Sequence, residues 1–135
     1  MDNKSIPERV NISPRPEEIN VDDLQILPKK CIANSIAVAS KYSEVEIVEG
    51  VIIYVKNKRG KPMQHAWNFK NNIHFDVTNE KVWTGSSDME EAEDVAYYPL
   101  QYHNISDVKN YFEFSEATNR EVEAIKSALN KKDSI

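Results

Sequence analysis

Three residues in this chain could act together on a carbonyl carbon: the single cysteine, Cys31, the histidine His65 and the aspartate Asp76. Cys31 lies in Lys29-Lys30-Cys31-Ile32-Ala33-Asn34-Ser35, His65 in His65-Ala66-Trp67, and Asp76 in Asp76-Val77-Thr78. A thiol attacks as its thiolate; a free cysteine ionises near ~8.5, and a helix N-terminus or nearby cations lower that value. Lys29 and Lys30 directly precede Cys31. The unpaired N–H groups of a first helical turn also suit a developing oxyanion. A histidine within reach serves as base and acid, and an aspartate behind it holds one tautomer and stabilises the imidazolium. Each residue also has a plainer reading. A lone cysteine is often a small buried hydrophobe, a histidine on an apolar strand face a core residue, and an aspartate in a strand a solvent-facing acid.

The elements that position these residues follow from periodicity. Pro28 ends a short helix or turn over Val21 to Leu27, and a helix is predicted over Cys31 to Lys41. Its Ile32, Ala33, Ile36, Ala37 and Ala39 form a broad apolar face of mostly small residues, able to approach a sheet closely. Val45 to Val55 is rich in β-branched residues and predicts a long strand, with a bulge or bend at Glu49-Gly50. A basic turn over residues 56–61 leads to a second strand, Met63 to Phe69, with Met63, His65, Trp67 and Phe69 on its inward face. Asn71-Asn72 predicts a two-residue hairpin turn, because Asn tolerates positive φ. Ile73 to Val77 makes the third strand. With that turn, residue i pairs with residue 143 − i, so Trp67 faces Asp76 and His65 faces Thr78. His65 and Asp76 become diagonal neighbours on one face, roughly 5–8 Å apart at Cβ. The Cys31 helix must then cover this face.

Taken in order, Cys31, the strand-borne His65-Ala66-Trp67 and Asp76-Val77-Thr78 resemble the catalytic core of transglutaminase-like and papain-like cysteine enzymes over residues 31–78. Ile32 stands where these enzymes often carry an aromatic residue. The resemblance implies an α+β fold with a papain/transglutaminase-like core: an N-terminal catalytic-type helix on a small antiparallel sheet, flanked by C-terminal helices. It also implies Cys31 as nucleophile, His65 as base and acid, and Asp76 as the residue orienting the imidazole. Attack on an amide or related acyl group would give a thioester. Water would complete hydrolysis or deamidation, and an amine would complete cross-linking. Papain-like enzymes use a glutamine before the cysteine as an oxyanion donor, a part that Gln25 matches; a surface glutamine is the alternative. Asn34, one helical turn after Cys31, and Trp67, beside His65, are supporting candidates. A protein or peptide substrate is implied, and no cofactor. The pattern also brings to mind small phage-encoded or bacterial accessory enzymes.

Composition bounds the alternatives. A chain of 135 residues, 40% hydrophobic and 29% charged, fits one soluble domain over residues 21–135. Residues 1–20, with Pro7, Pro14 and Pro16, read as an extended or partly disordered arm. No apolar run reaches ~18 residues, so no membrane span is expected. Met1-Asp2-Asn3-Lys4 leads into no apolar region, so no secretory signal is expected either. One cysteine forms no internal disulfide, which fits a reducing, cytoplasmic setting. The net charge of −5 argues against nucleic acid as a partner. Residues 31–79 hold six Lys/Arg against four Asp/Glu, whereas residues 80–95 hold one Lys against six Asp/Glu. Residues 79–95 read as a loop, Tyr97-Tyr98 before Pro99 as one short strand, and Ser106 as a helix N-cap carrying Val108, Tyr111 and Phe112 inward. His103 reads as loop surface. Ser115 or Glu116 opens a last helix with Val122, Ile125 and Leu129 in a stripe, fraying from Asn130. Glu49 is either a supporting acid or a by-product of the bulge.

Two rival functions remain open. One is a non-catalytic protein-binding module, with the acidic run 88–94 and Tyr97-Tyr98…Tyr102 as its contact surface. The other is a small metal-dependent hydrolase using Cys31, His65, His74 and Asp76, although no short-spaced Cys/His pair supports a zinc site.

Overall fold

The computed structural model describes residues 8–28, 30–57, 59–81, 94–108 and 114–133. They form an α+β fold. In chain order the elements are α1 (Cys31–Lys41), β1 (Glu46–Lys56), β2 (Arg59–Lys70), β3 (Ile73–Phe75), α2 (Val77–Lys81), β4 (Asp94–His103), α3 (Ile105–Val108) and α4 (Glu116–Asp133). The four strands make one antiparallel sheet in the order β3-β2-β1-β4.

β1 is one of the two interior strands and is buried on both faces from Ile47 to Ile52, which accounts for its nearly continuous β-branched sequence. On one face Ile47 and Ala66 pack against Ile32, Ile36 and Ala39 of α1. On the other, Val48, Ile52, Trp67 and Tyr97 pack together under Val10 and Ile12 of the N-terminal arm. The register with β4 shifts between Glu49 and Gly50, where the sequence carries its break in alternation. Gly50 is required there by close approach: a Cβ would sit 2.8 Å from the Trp67 ring and closer still to the Tyr98 carbonyl.

The arm is extended, but its described part belongs to the core. Val10 bridges to Tyr97 of β4 and Ile12 bridges to His74 of β3. Two residues of chain reach at most ~7 Å, so the two edge strands must lie close together. The sheet is therefore curled, with the arm between its edges and the Trp67 cluster inside. Ile19, fully buried, and Val21 extend the core with Val38, Val45, Phe75 and Val77. Val21 to Leu27 is turn and irregular chain.

Several elements differ from the sequence expectation. The hairpin turn is as expected: Asn71 and Asn72 have φ of 51° and 64°, and Asn68 pairs with Phe75, Phe69 with His74 and Lys70 with Ile73. The third strand, however, ends at Phe75 rather than Val77. Asp76 leaves the strand because it caps α2. The Asn79 N–H donates to Asp76 Oδ1 at 3.1 Å, satisfying one of the donors a helix start leaves free. The expected short strand at Tyr97-Tyr98 is the ten-residue edge strand β4, a place where Pro99 is tolerated. Ser106 is not a cap; α3 starts at Ile105 and the Asp107 N–H bonds the Asn104 carbonyl. α4 runs to Asp133, past the expected fraying point. Lys29, residues 82–93, Tyr111, Phe112 and the Leu129 side chain lie outside the described residues.

Candidate active site

Cys31 is the first residue of α1, and no side chain caps that helix start. It is partly exposed. β3 pairs with β2 only as far as Asn68, so the edge of β2 beyond that point is open. The N-terminus of α1 lies against β2 here, with the Ala66 amide near enough to the Cys31 sulfur to favour its thiolate. This arrangement corrects the expectation that α1 covers the His65 face. α1 packs on the Ala66 face, whereas His65 stacks beside Trp67 on the other, with ring centroids 6.1 Å apart. The sulfur and the imidazole meet around the strand edge, close enough for each to favour the charged form of the other.

His65 Nε2 lies 2.8 Å from Asp76 Oδ2. That leaves Nδ1 as the ring nitrogen for Cys31. Both His65 and Asp76 are buried, at 4% and 5% exposure, so their attraction is little screened by water. The contact is not the diagonal strand pair of the sequence reading. Asp76 reaches His65 from the N-cap of α2, one residue past the end of β3. Its other oxygen is fixed by the Asn79 N–H, and Oδ2 also accepts the Tyr97 hydroxyl proton at 2.7 Å. The carboxylate is thus held at both oxygens.

Electrostatics follow from this line of contacts. Burial alone would pull His65 down, but the Asp76 carboxylate and then Cys31 outweigh it and push the imidazole up to about 10. Burial likewise opposes ionisation of Cys31, yet the neighbouring His65 ring and its charge, with the Ala66 amide, bring the thiol below its ordinary value. Lys30, next to Cys31 in the chain, is exposed, and Lys29 lies outside the described residues. The two shifts belong to one pair of neighbouring groups, each favouring the charged form of the other.

The supporting candidates separate. Trp67, 1% exposed, walls His65 off from water, and its indole N–H donates to His74 Nδ1 at 3.0 Å. Asn34, 1% exposed, accepts from Leu27 N–H and donates to the Leu27 carbonyl and to Thr78 Oγ1. It ties α1, the chain before it and α2 together, and so holds the carriers of Cys31 and Asp76 in register. Gln25 is exposed, and no hydrogen bond joins it to Cys31, His65 or Asp76. Glu49 belongs elsewhere: its buried carboxylate accepts from Ser115 N–H and Thr118 Oγ1 and meets His103 Nε2 at 3.1 Å. That group docks the start of α4, and His103 is the end of β4 rather than loop surface.

Tyr97 is the residue that sequence reasoning missed. Placed in a contact surface by the binding-module reading, it is 3% exposed and points at Asp76. Its only sequence signal is an aromatic in a strand, which predicts burial but no partner. Of the acidic run 88–94, only Asp94 is described, and it pairs with Arg9. Among the described residues no three His, Cys, Asp or Glu side chains gather as a metal site, and no helix is long and apolar enough to cross a membrane. A cleft of about 420 Å³ between the arm and α2 touches Asp76 but neither Cys31 nor His65, so it is not where an acyl group would meet the sulfur. No protein-family model, curated protein or solved structure matches the chain.

Proposed function

We propose that this protein is a cysteine-dependent acyl-transfer enzyme with a papain/transglutaminase-like core, acting on amide or isopeptide bonds of a protein or peptide. The observation that carries this reading is the line of interacting groups from the partly exposed Cys31, through the His65 ring that shifts its thiol, to the Asp76 carboxylate 2.8 Å from His65 Nε2. A structural cysteine needs neither a charged partner nor an exposed sulfur.

In this mechanism the Cys31 thiolate attacks the acyl carbon, and the amides at the start of α1, which no side chain caps, serve as donors for the oxyanion. The His65 imidazolium gives its Nδ1 proton to the departing amine, leaving a thioester on Cys31. Water or a second amine, deprotonated by neutral His65, then attacks the thioester and releases the sulfur as thiolate. Asp76 holds Nε2–H throughout, so Nδ1 is the nitrogen that exchanges protons.

The test uses glutamine-containing and isopeptide-linked model peptides, with and without an added primary amine. Intact-mass spectrometry should detect an acyl adduct on wild-type protein, absent from Cys31→Ser, with ammonia or amine released. A reactive Cys31 that forms no adduct and turns over none of these substrates would overturn the assignment.

A further inference from the structure

Asp76 Oδ2 accepts two protons, one from His65 Nε2 and one from the phenol of Tyr97. The direction of the second bond is set by Asn79, whose side-chain N–H donates to the Tyr97 oxygen at 3.3 Å. With its oxygen accepting from Asn79, the phenol turns its own proton to Asp76. Burial and the Asp76 carboxylate both push the phenol upward from its ordinary value, so it remains a donor at every pH the site meets. The Tyr97 ring is also pinned. It packs edge-on to Trp67 at 5.1 Å between centroids and to His65 at 6.0 Å, and the Val10 N–H bonds its backbone carbonyl at 2.9 Å.

We propose that Tyr97 is a positioning residue for the Cys31–His65–Asp76 site, its hydroxyl orienting the Asp76 carboxylate and tempering that carboxylate's pull on His65. The inference rests on the reading of these three residues as a catalytic group. Its chemical sense is that the imidazolium must surrender its proton to a leaving amine. A carboxylate with one donor fewer puts more of its charge on His65 Nε2–H and holds the imidazolium too firmly. Among the described residues, the titratable groups facing His65 are Cys31 from α1, Asp76 from the start of α2 and Tyr97 from β4.

The test is a histidine-ring NMR titration of the full chain from neutral to strongly alkaline pH. It compares wild type, Tyr97→Phe and Cys31→Ser, with melting temperatures recorded alongside. The expected result is a His65 midpoint about one pH unit higher in Tyr97→Phe and lower in Cys31→Ser, which has lost the thiolate. If Tyr97→Phe changes only the melting temperature, Tyr97 is a packing residue and the proposal falls. If Cys31→Ser leaves the midpoint in place, the thiolate–imidazolium reading falls instead. Should Tyr97→Phe fail to fold, Asn79→Ala frees the phenol to rotate and should move the midpoint in the same direction by less; no movement there overturns the proposal.

Discussion

Replacing Asp76 by asparagine separates its structural role from its chemical one. As the cap of α2, Asn is as good as Asp, and its Oδ1 can still accept the Asn79 N–H. The amide Nδ2 would then face His65 Nε2 and the Tyr97 oxygen. Because Nδ2 can only donate, Nε2 must become the acceptor, and the ring proton moves to Nδ1, the nitrogen facing Cys31. That nitrogen can no longer take the thiol proton. The charge is lost as well. His65 stands at about 10 against an ordinary 6.5, which corresponds to about 5 kcal/mol of imidazolium stabilisation shared between Asp76 and Cys31. Without Asp76, burial is the largest remaining influence and draws the ring down again. A serine triad loses about 10⁴ in turnover from this change; for a preformed thiolate the loss of alkylation rate near neutral pH should be on the order of 10–10³. Iodoacetamide alkylation followed by mass spectrometry measures it, with melting temperature as the fold control. The melting temperature should fall by only a few degrees. An Asp76→Asn protein that melts normally and alkylates at the wild-type rate would refute the reasoning. His103→Asn is the matching control, since His103 bonds Glu49 on the helix side of the sheet. His74 is unsuitable, because it accepts the Trp67 indole proton.

Two further perturbations probe the wall behind His65. Burial lowers His74 below its ordinary 6.5, so its neutral form favours the fold above about pH 6.5 and that stability drains as pH falls through the lower folded value. Melting temperature should therefore drop with acidification below that point, and His74→Gln should flatten the drop; an unchanged acid limb would contradict it. Gly50→Ala should cost about 1–3 kcal/mol or more in denaturant titration, because the new methyl meets the Trp67 ring and the Tyr98 carbonyl. A neutral result would mean that β4 can move away from β1 there.

The parts of the site legible in the sequence were those set by local geometry. Asn71-Asn72 adopts the positive φ values that a two-residue turn demands, and the register from that turn brings Asp76 toward His65. The expected third strand failed at Asp76 because an aspartate before Val-Thr-Asn caps a helix as readily as it sits in a strand, and alternation alone does not separate the two. The long edge strand β4 was hidden by Pro99 and by its polar ends. The arm's place in the core depends on Val10 meeting Tyr97 and Ile12 meeting His74, contacts between residues far apart in the chain that no local pattern encodes. The meeting of Cys31 with His65 around the edge of β2 depends on β3 stopping short, and Tyr97's hold on Asp76 depends on the curl of the whole sheet. Both are products of topology.

The central claim is that Cys31 is a thiolate held by a His65 imidazolium, and the pH dependence of Cys31 alkylation tests it most directly. The rate should titrate with a midpoint clearly below the free-thiol value of ~8.5, and His65→Gln should move that midpoint upward. A native protein whose sulfur resists the reagent, or reacts with a midpoint at or above the free-thiol value, would contradict the account.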